Sequence, residues 1–532
     1  MRYDLVDVAK SGRLAVKVAS GGMILSAGNH AYSTISAIGS IVVARMLGPA
    51  DYGVMGIALI YPIMLSGLAD LGLSTAIARF ASLGDLRGAL TALWLRVIAS
   101  AVFAMALILL APYMAASLQR SYLTPMIQLL SIYAFASGAL ASATAFLAGV
   151  NRYQDLALIN LVAAAARVSL SIALVLAGYG VYGALWGFSI GYSLAVIYAL
   201  VKLVSLAGQA PSFAKPVLMG VLGYSLPLYV PGLIGIPLSQ FYNILRAVYV
   251  TDVEVGNYQI ASNLLAPISI ATSSLSTALF TTLPQLVNRD YELRDAVNKA
   301  ARYTAIVIAP IATALALFSK QVVYVVYGPK YELAPLYLSI MAFSSLLAPF
   351  GVVTMYLNII GATKATMMLN IISLAMGLPI TWILLVRYGM LGAVVASLVG
   401  SALSAALSLI IVERRYSVKV EVSRVVRYWL PPLAASAPAY TAMRAIRDQW
   451  LALGIGLATY LASLAVLAAL AVSAEDLVDL ADIGGGIRYV GPLVNRTLNV
   501  VIKVKAKLRA QSWLQRSCRR GARAVPSNRR KT

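Results

Sequence analysis

One feature constrains this chain more than any other: it is a succession of apolar stretches, each long enough to cross a bilayer. A spanning helix needs about 20 mostly apolar residues. Such stretches fall at about 19–44, 52–79, 88–117, 122–150, 156–178, 181–206, 220–250, 255–285, 297–326, 333–360, 365–387, 390–412, 428–446 and 450–472. Residues are 60% hydrophobic and 11% charged, where a soluble domain carries about 25% charged residues. No water-soluble fold hides that much apolar surface. The expectation is an all-α integral membrane protein of about 14 transmembrane helices. The connecting loops are too short to build an extramembrane domain. Several stretches exceed about 25 residues, so they must tilt, kink or run past the lipid.

The net charge of +23 would point a soluble protein toward nucleic acid. Here no basic, aromatic nucleic-acid module stands out, and the cations lie mostly in loops and in the tail after residue 485. With fourteen spans and a cytoplasmic N-terminus, cytoplasmic segments before the tail hold about 19 Lys and Arg. The tail holds about 13 and the opposite face about 8, the bias that the positive-inside rule requires. A multi-pass protein of the cell membrane with both termini cytoplasmic is expected. Residues 1–20 mix charges without a clean apolar core, so they do not read as a signal peptide. The chain has one cysteine, Cys518, and one histidine, His30. An internal disulfide and a Cys- or His-cluster metal site are thereby excluded. No cofactor is expected; a coupling cation or proton is left open. In the tail, Val494, Leu498, Val501, Val504 and Leu508 keep near-helical spacing among Lys503, Lys505, Lys507 and Arg509. That pattern fits a basic helix lying on anionic lipid, or else a solvated tail.

The first six stretches recur in the next six. Leu73-Ser74-Thr75-Ala76 returns as Leu275-Ser276-Thr277-Ala278, and Asp51-Tyr52-Gly53 is answered by Glu254-Val255-Gly256. Phe146-Leu147 and Asn160 are answered by Tyr356-Leu357 and Asn370. Tyr179-Gly180-Val181-Tyr182-Gly183-Ala184 returns as Tyr388-Gly389-Met390-Leu391-Gly392-Ala393. Six spans is an even number, so both halves start from the same membrane face and form parallel repeats. The expected organisation is an N-terminal six-helix lobe at 1–206 and a cytoplasmic linker at 207–219. A second six-helix lobe follows at 220–412, then two additional helices at 413–472 and the basic cytoplasmic tail at 473–532. Transporters built of such repeats hold substrate at the repeat interface.

Ala44-Arg45-Met46-Leu47-Gly48-Pro49 with Asp51-Tyr52-Gly53, then Asp70-Leu71-Gly72-Leu73 and Arg79, resembles the opening of Wzx-type oligosaccharide flippases. These belong to the polysaccharide branch of the multidrug/oligosaccharidyl-lipid/polysaccharide (MOP) exporter superfamily. Glu254-Val255-Gly256-Asn257-Tyr258 resembles the matching element of the second half. The resemblance covers about residues 15–470. It implies alternating access by two six-helix lobes, moving a polyprenyl-(pyro)phosphate-linked oligosaccharide from the cytoplasmic to the outer leaflet. It implies no covalent chemistry and no catalytic residues, so the chain is not expected to be an enzyme. The alternative is an ion-coupled multidrug or metabolite exporter of the same superfamily. Expected partners are the bilayer, the lipid-linked cargo, anionic lipids at the tail, and glycan-assembly enzymes.

A cleft for a sugar phosphate needs polar groups to replace water on hydroxyls, and cations for phosphate, which arginine clasps bidentately. Ser26, Asn29, His30, Ser33 and Ser40 share a face of the first span. Ser239, Gln240, Asn243 and Arg246 share one in the seventh, Gln259, Ser262, Ser269, Ser273 and Ser276 one in the eighth, and Asn160, Arg167 and Ser171 one in the fifth. Small polar residues also simply join helices, the competing explanation for any single serine. Arg167 stands out, because a charge deep in a span is costly and functional by default. Its repeat counterpart is Gly377, so the fold does not need the charge; the mundane alternative is an ion pair with Asp70. Arg79 and Arg96, toward the cytoplasmic mouth, are candidates to capture phosphate first. Arg45 and Arg246, at span ends, suit snorkelling to head groups, with Arg45 also inside the opening motif. Asp70 is either a lock between helices or a cation site. His30 either lines the cleft or couples protons. Pro227, Pro231 and Pro237 are expected to interrupt the seventh span and to make a hinge there.

Overall fold

A computed structural model of the protein describes residues 2–204, 210–286 and 290–471. The described residues are helical with turns between and contain no β-strand. Among the described residues, each of the fourteen expected apolar stretches is mainly helical, and nine helical runs are long and apolar enough to cross a membrane. Three of those runs are close to double length, Met23–Leu68, Tyr153–Leu203 and Thr363–Tyr416. Each folds at glycines with non-helical backbone: Gly48, the Gly178–Gly180 segment and Gly389. The protein is therefore a polytopic all-α membrane protein. The basic tail expected at 473–532 lies outside the described residues.

Packing divides the chain into two compact units. The first takes the chain up to Asn263 together with Val326–Leu333 and Leu385–Met390. Its helices are α1 (Arg2–Ala58), α2 (Ile60–Leu68), α3 (Leu73–Ser82), α4 (Leu86–Ser117), α5 (Thr124–Gly149), α6 (Tyr153–Leu174), α7 (Gly180–Val204), α8 (Lys215–Tyr249) and α9 (Asp252–Leu264). The unit thus extends past the boundary at 207–219 that the repeat predicts. The cause lies in what α8 and α9 touch. Tyr229 donates to the Leu68 carbonyl at 2.6 Å. Arg120 binds Asp252 at 2.7 Å and donates to the carbonyls of Val250 (2.6 Å) and Ala247. A repeat records how the sequence arose; packing unites whatever helices bury against one another.

The core of this unit is rich in alanine, with Ala81, Ala89, Ala92, Ala143, Ala195 and Ala199 all buried. Small residues suit a membrane interior, where backbones gain by approaching closely. Asp85 starts α4 by accepting the Gly88 amide at 2.9 Å, and Pro125 opens α5. Pro227, Pro231 and Pro237 do not interrupt the seventh span: α8 runs through all three as one helix. Proline's fixed φ is itself helical, so each costs one backbone bond and some local crowding without ending the helix. Gly220, Gly223 and Gly235 on the same helix have open space beside them.

The second unit takes Leu264–Val325, Ala334–Leu384 and the chain from Leu391. It contains α10 (Ala266–Thr282), α11 (Asp290–Leu317), most of α12 (Ser319–Tyr327), α13 (Ala334–Ser344), α14 (Gly351–Ile359), both limbs of α15 (Thr363–Tyr416), α16 (Val422–Arg427), α17 (Leu430–Arg444) and α18 (Gln449–Ala471). The two additional helices are fastened to α11. Asn298 donates to the Lys419 carbonyl (3.1 Å) and accepts the Glu421 amide (3.0 Å), as a neighbouring strand would. Arg302 pairs with Glu421 at 3.1 Å. Further along α11, the Tyr460 hydroxyl lies 2.6 Å from that of Thr313 and donates to the Pro310 carbonyl at 3.0 Å.

The sequence repeat is written into the turns. Asn151 ends α5 with φ 59° and Gly361, 210 residues on, ends α14 with φ 73°. Both turns close with the same backbone bonds, Arg152 N to Leu147 O and Ala362 N to Leu357 O, each at 2.8 Å. Gly180 and Gly389 adopt φ/ψ of 52°/−134° and 60°/−145°. The two motif glycines cross in the first unit. A Cβ on Gly53 would strike the Asp252 carbonyl, and one on Gly256 would strike the Pro49 carbonyl. Those contacts exchange under the repeat, as a parallel twofold between the two elements requires.

Candidate functional site

The second expected span is where the first unit departs most from a regular helix. It consists of the last limb of α1, then α2, then α3, with a break at 69–72. Leu71 (φ 48°) and Gly72 (φ 71°) are both left-handed there. A left-handed leucine costs roughly 1–2 kcal/mol, so the break is held by its surroundings. A Cβ at Gly72 would meet the Ser225 carbonyl of α8. Asp70 caps α3 by accepting from the Ser74 amide (3.3 Å) and the Ser74 hydroxyl. Its carboxylate also pairs with Arg96 of α4 at 3.0 Å, and Arg96 donates to Ser74 as well. The Arg96 side chain is only 8% exposed. Asp70 thus locks α3 to α4 through Arg96. It is not the partner of Arg167, and Arg96 has its charge matched inside the bundle.

Arg167 sits on α6 between two glycine-bearing helices. Gly39 of α1 faces the Val168 side chain, and Gly187 and Gly191 of α7 lie against the backbones of Ser171 and Arg167. This spacing of small residues every four positions lets the helices close on α6. The guanidinium donates to Ser36 Oγ at 2.6 Å and lies 4.7 Å from the centre of the Phe188 ring. Its Nε is buried with no hydrogen-bond partner. Among the described residues it has no acidic partner.

Arg167 lines a cavity of about 380 Å³ together with Ser36, Ser40, Tyr52, Gln259 and Asn263. Asn263 donates to both Ser40 Oγ and the Tyr52 hydroxyl at 3.3 Å, and those two oxygens are 2.7 Å apart. An adjoining cavity of about 280 Å³ is lined by Gln240, Asn243, Arg246, Tyr258 and Gln259. Gly56, Leu59, Ile63 and Gln259 form walls of both. Arg246 donates to Asn243 Oδ1 at 3.2 Å and lies 4.4 Å from the Tyr258 ring centre. Its Nε is likewise buried and unmatched, and no acid pairs with it among the described residues.

Of the residues singled out in the sequence, Ser40, Arg167, Ser171, Gln240, Asn243, Arg246 and Gln259 line these cavities. Others lie elsewhere. Asn160 donates to Asn29 at 3.4 Å on the seam of α6 and α1. His30 Nδ1 lies 2.7 Å from the Ser26 carbonyl of its own helix. Arg79 covers the Tyr224 ring at 4.1 Å. The Ser262 hydroxyl is buried without a partner and lines neither cavity. Pro231 and Pro237 lie within α8. Arg45 donates its Nε to the Val326 carbonyl at 2.6 Å, beside Tyr331, whose hydroxyl donates to the Ala44 carbonyl at 2.7 Å. Burial pushes the Tyr331 hydroxyl above its ordinary range.

Sequence reasoning passed over Ser36 and Asn263, quoted Tyr52 and Tyr258 only as members of the two opening motifs, and favoured a head-group position for Arg246. Signals existed: Ser36 is three residues after Ser33, and Asn263 four after Gln259, so each continues a polar face already recognised. Arg246 carried the same signal, three residues after Asn243 on a polar face already recognised, but its place near the span end suited a head group as well. A cation three residues from a helix end looks identical in sequence whether it faces lipid or a cavity.

A discontinuous second span, double-length helices folded at glycines, and cavities edged by arginines characterise this polytopic membrane protein, and its overall fold is shared with solved membrane proteins. The lipid II flippase MurJ, in an inward closed conformation, aligns over 84% of this chain and 99% of its own. The TM-score is 0.67 at 15% identity. An inward-facing multidrug resistance MATE family transporter of the MOP superfamily aligns over 72% of this chain and 94% of its own, with TM-score 0.57 at 18% identity. At such identities the likeness is one of fold. The chain belongs to the polysaccharide biosynthesis protein family, whose model matches residues 42–335. No curated protein matches it in sequence.

Proposed function

We propose that the protein flips a polyprenyl-(pyro)phosphate-linked oligosaccharide from the cytoplasmic to the outer leaflet by alternating access, for surface polysaccharide or glycoprotein synthesis. One observation carries this reading. Arg167 lines a largely apolar cavity inside the membrane, beside the polar groups of Ser36, Ser40, Tyr52, Gln259 and Asn263, and no acid pairs with it among the described residues. Placing an arginine at the centre of a spanning helix costs about 2.5–3.5 kcal/mol on insertion scales. A phosphate offsets that cost through charge-assisted bonds, and neutral hydroxyls and amides such as Ser40, Tyr52, Gln259 and Asn263 exchange water for sugar hydroxyls. The cargo's lipid tail would stay in the bilayer while its head group occupies the cavity. No bond is made or broken, so the protein acts as a transporter and not as an enzyme. Both termini would be cytoplasmic, and the tail beyond the described residues would meet anionic lipid and glycan-assembly enzymes. The coupling ion is left unassigned.

The family match and the MurJ-like fold support this reading, while the MATE-like fold equally suits an ion-coupled exporter. An exporter of cationic drugs would want free carboxylates at the cavity, whereas the linings of both cavities hold an arginine and no Asp or Glu among the described residues. The test is mass spectrometry of polyprenyl-linked glycans in the source organism with and without the gene. Accumulation of a complete lipid-linked oligosaccharide in the deletion, reproduced by Arg167→Gln, supports the flippase. An unchanged pool and normal surface glycan would move the assignment to the exporter.

A further inference from the structure

The two arginines are built alike. Arg167 has one oxygen acceptor, Ser36 Oγ, one aromatic face, Phe188, and an unmatched Nε. Arg246 has one oxygen acceptor, Asn243 Oδ1, one aromatic face, Tyr258, and an unmatched Nε. In each case the aromatic ring fixes the guanidinium plane without neutralising its charge. Neither arginine lines the other's cavity, and Gln259, packed over Gly56, stands between them.

Their separation follows from helix geometry. The bond from Asn263 to Ser40 puts those two residues at one level. From there α9 runs five residues back to Tyr258, and α1 runs four residues the opposite way to Ser36. At about 1.5 Å per residue, the guanidinium groups lie roughly 13 Å apart along the helix axes. That span exceeds the reach of one diphosphate, whose outermost oxygens are only about 5 Å apart, the order of a single turn of helix.

Resting on the flippase reading, we infer that the cargo carries two separate anionic groups, each received by its own arginine. One is the phosphate of the lipid linkage. The other is an acidic group on the glycan, a carboxylate or a sulfate ester, placed one or two sugar residues away. A neutral glycan would leave one guanidinium dehydrated and unmatched, so the site selects for acidic sugars. Gln259 then lies against the neutral part of the head group between the two charges.

The experiment is a titration of the full-length protein in detergent with two synthetic probes. Both are farnesyl diphosphates, one carrying a neutral glucosyl-glucose and the other an acidic glucuronosyl-glucose. The acidic probe should bind about tenfold more tightly, the size expected of one charge-assisted pair. Of the variants Arg167→Gln and Arg246→Gln, the latter should remove this preference, because Arg167 receives the phosphate that both probes carry. The other should weaken both probes alike. Arg167→Lys and Arg246→Lys keep the charge and should keep the preference, which separates lost charge from lost folding. Equal affinity for the two probes, or equal loss of both probes in both glutamine variants, overturns the inference and leaves the flippase standing. Failure of both probes to bind a protein with an unaltered melting profile overturns the flippase reading as well.

Discussion

The two halves of the repeat share their turns and differ in their charges. Asn151 and Gly361, and Gly180 and Gly389, take matching backbone conformations at matching positions. Yet Arg167 of α6 answers to Gly377 of α15. In the second unit, Arg294 and Arg302 of α11 clip the segment before the additional helices, through the Ser417 carbonyl and Glu421. The difference teaches that turns and small-residue seams are what the fold requires, because both copies keep them. Both copies keep a buried, paired arginine, Arg96 with Asp70 and Arg302 with Glu421, but Arg167, which has no acidic partner among the described residues, has only a glycine as its counterpart. Such a charge is expensive inside a membrane, and under the flippase reading proposed above it is the first half that would meet the anion.

The largest expected effect breaks this asymmetry directly. Arg167→Gln should lower transport by about 100-fold or more, as loss of a charge-assisted clasp worth roughly 3 kcal/mol implies. Adding Gly377→Arg should not restore it, because Ser36, Ser40, Gln259 and Asn263 stand beside position 167; rescue by the double variant would show the halves to be interchangeable. Arg96→Ala should destabilise by about 3–5 kcal/mol, since it strands the Asp70 charge. Thermal unfolding in detergent reads this out, and Asp70→Asn added to Arg96→Ala should return most of the loss. A second substitution that returns nothing would mean that the pair is not the lock between α3 and α4.

Gly256→Val tests the crossing that the two halves make together. The added side chain meets the Pro49 carbonyl, and overpacking of this kind costs about 1–3 kcal/mol. Gly53→Val should behave the same within error if the crossing is symmetric, and a large disparity would show that it is not. Tyr460→Phe removes bonds to Thr313 and the Pro310 carbonyl and should cost about 1 kcal/mol. Smallest of all is a comparison at the shared turn. Gly361→Ala should cost about 1 kcal/mol for its left-handed backbone, whereas Asn151→Gly should change stability by a few tenths, because relief of the same strain offsets the lost bond from Tyr153.

Much of the fold was legible. A span announces itself by length and hydropathy, since lipid allows few other solutions, and among the described residues every expected stretch proved mainly helical. The glycine turns were visible as repeated Tyr-Gly motifs. Less legible was continuity. Three prolines read as breaks in the seventh span, but α8 absorbs them, because a neighbourless carbonyl tolerates loss of one bond when the rest of the helix holds. The second span read as one helix and is three pieces, since Asp70, Leu71 and Gly72 break it only in company with Ser74, Arg96 and Ser225.

The candidate site was half legible for a related reason. Arg167 declared itself by depth, and Gln240, Asn243 and Gln259 by periodicity. Arg96 looked equally available, and only its contact with Asp70, 26 residues earlier in the chain, shows its charge to be engaged. Arg246 looked like a head-group anchor until Tyr258 and Asn243 closed around it. By itself the sequence determined what depends on one segment at a time: the spans, the repeat, the small-residue seams and the cost of each buried charge. The tertiary structure alone decided which charges are matched. Pairing is a property of two groups within about 4 Å, and helices far apart in sequence bring those groups together only when they pack.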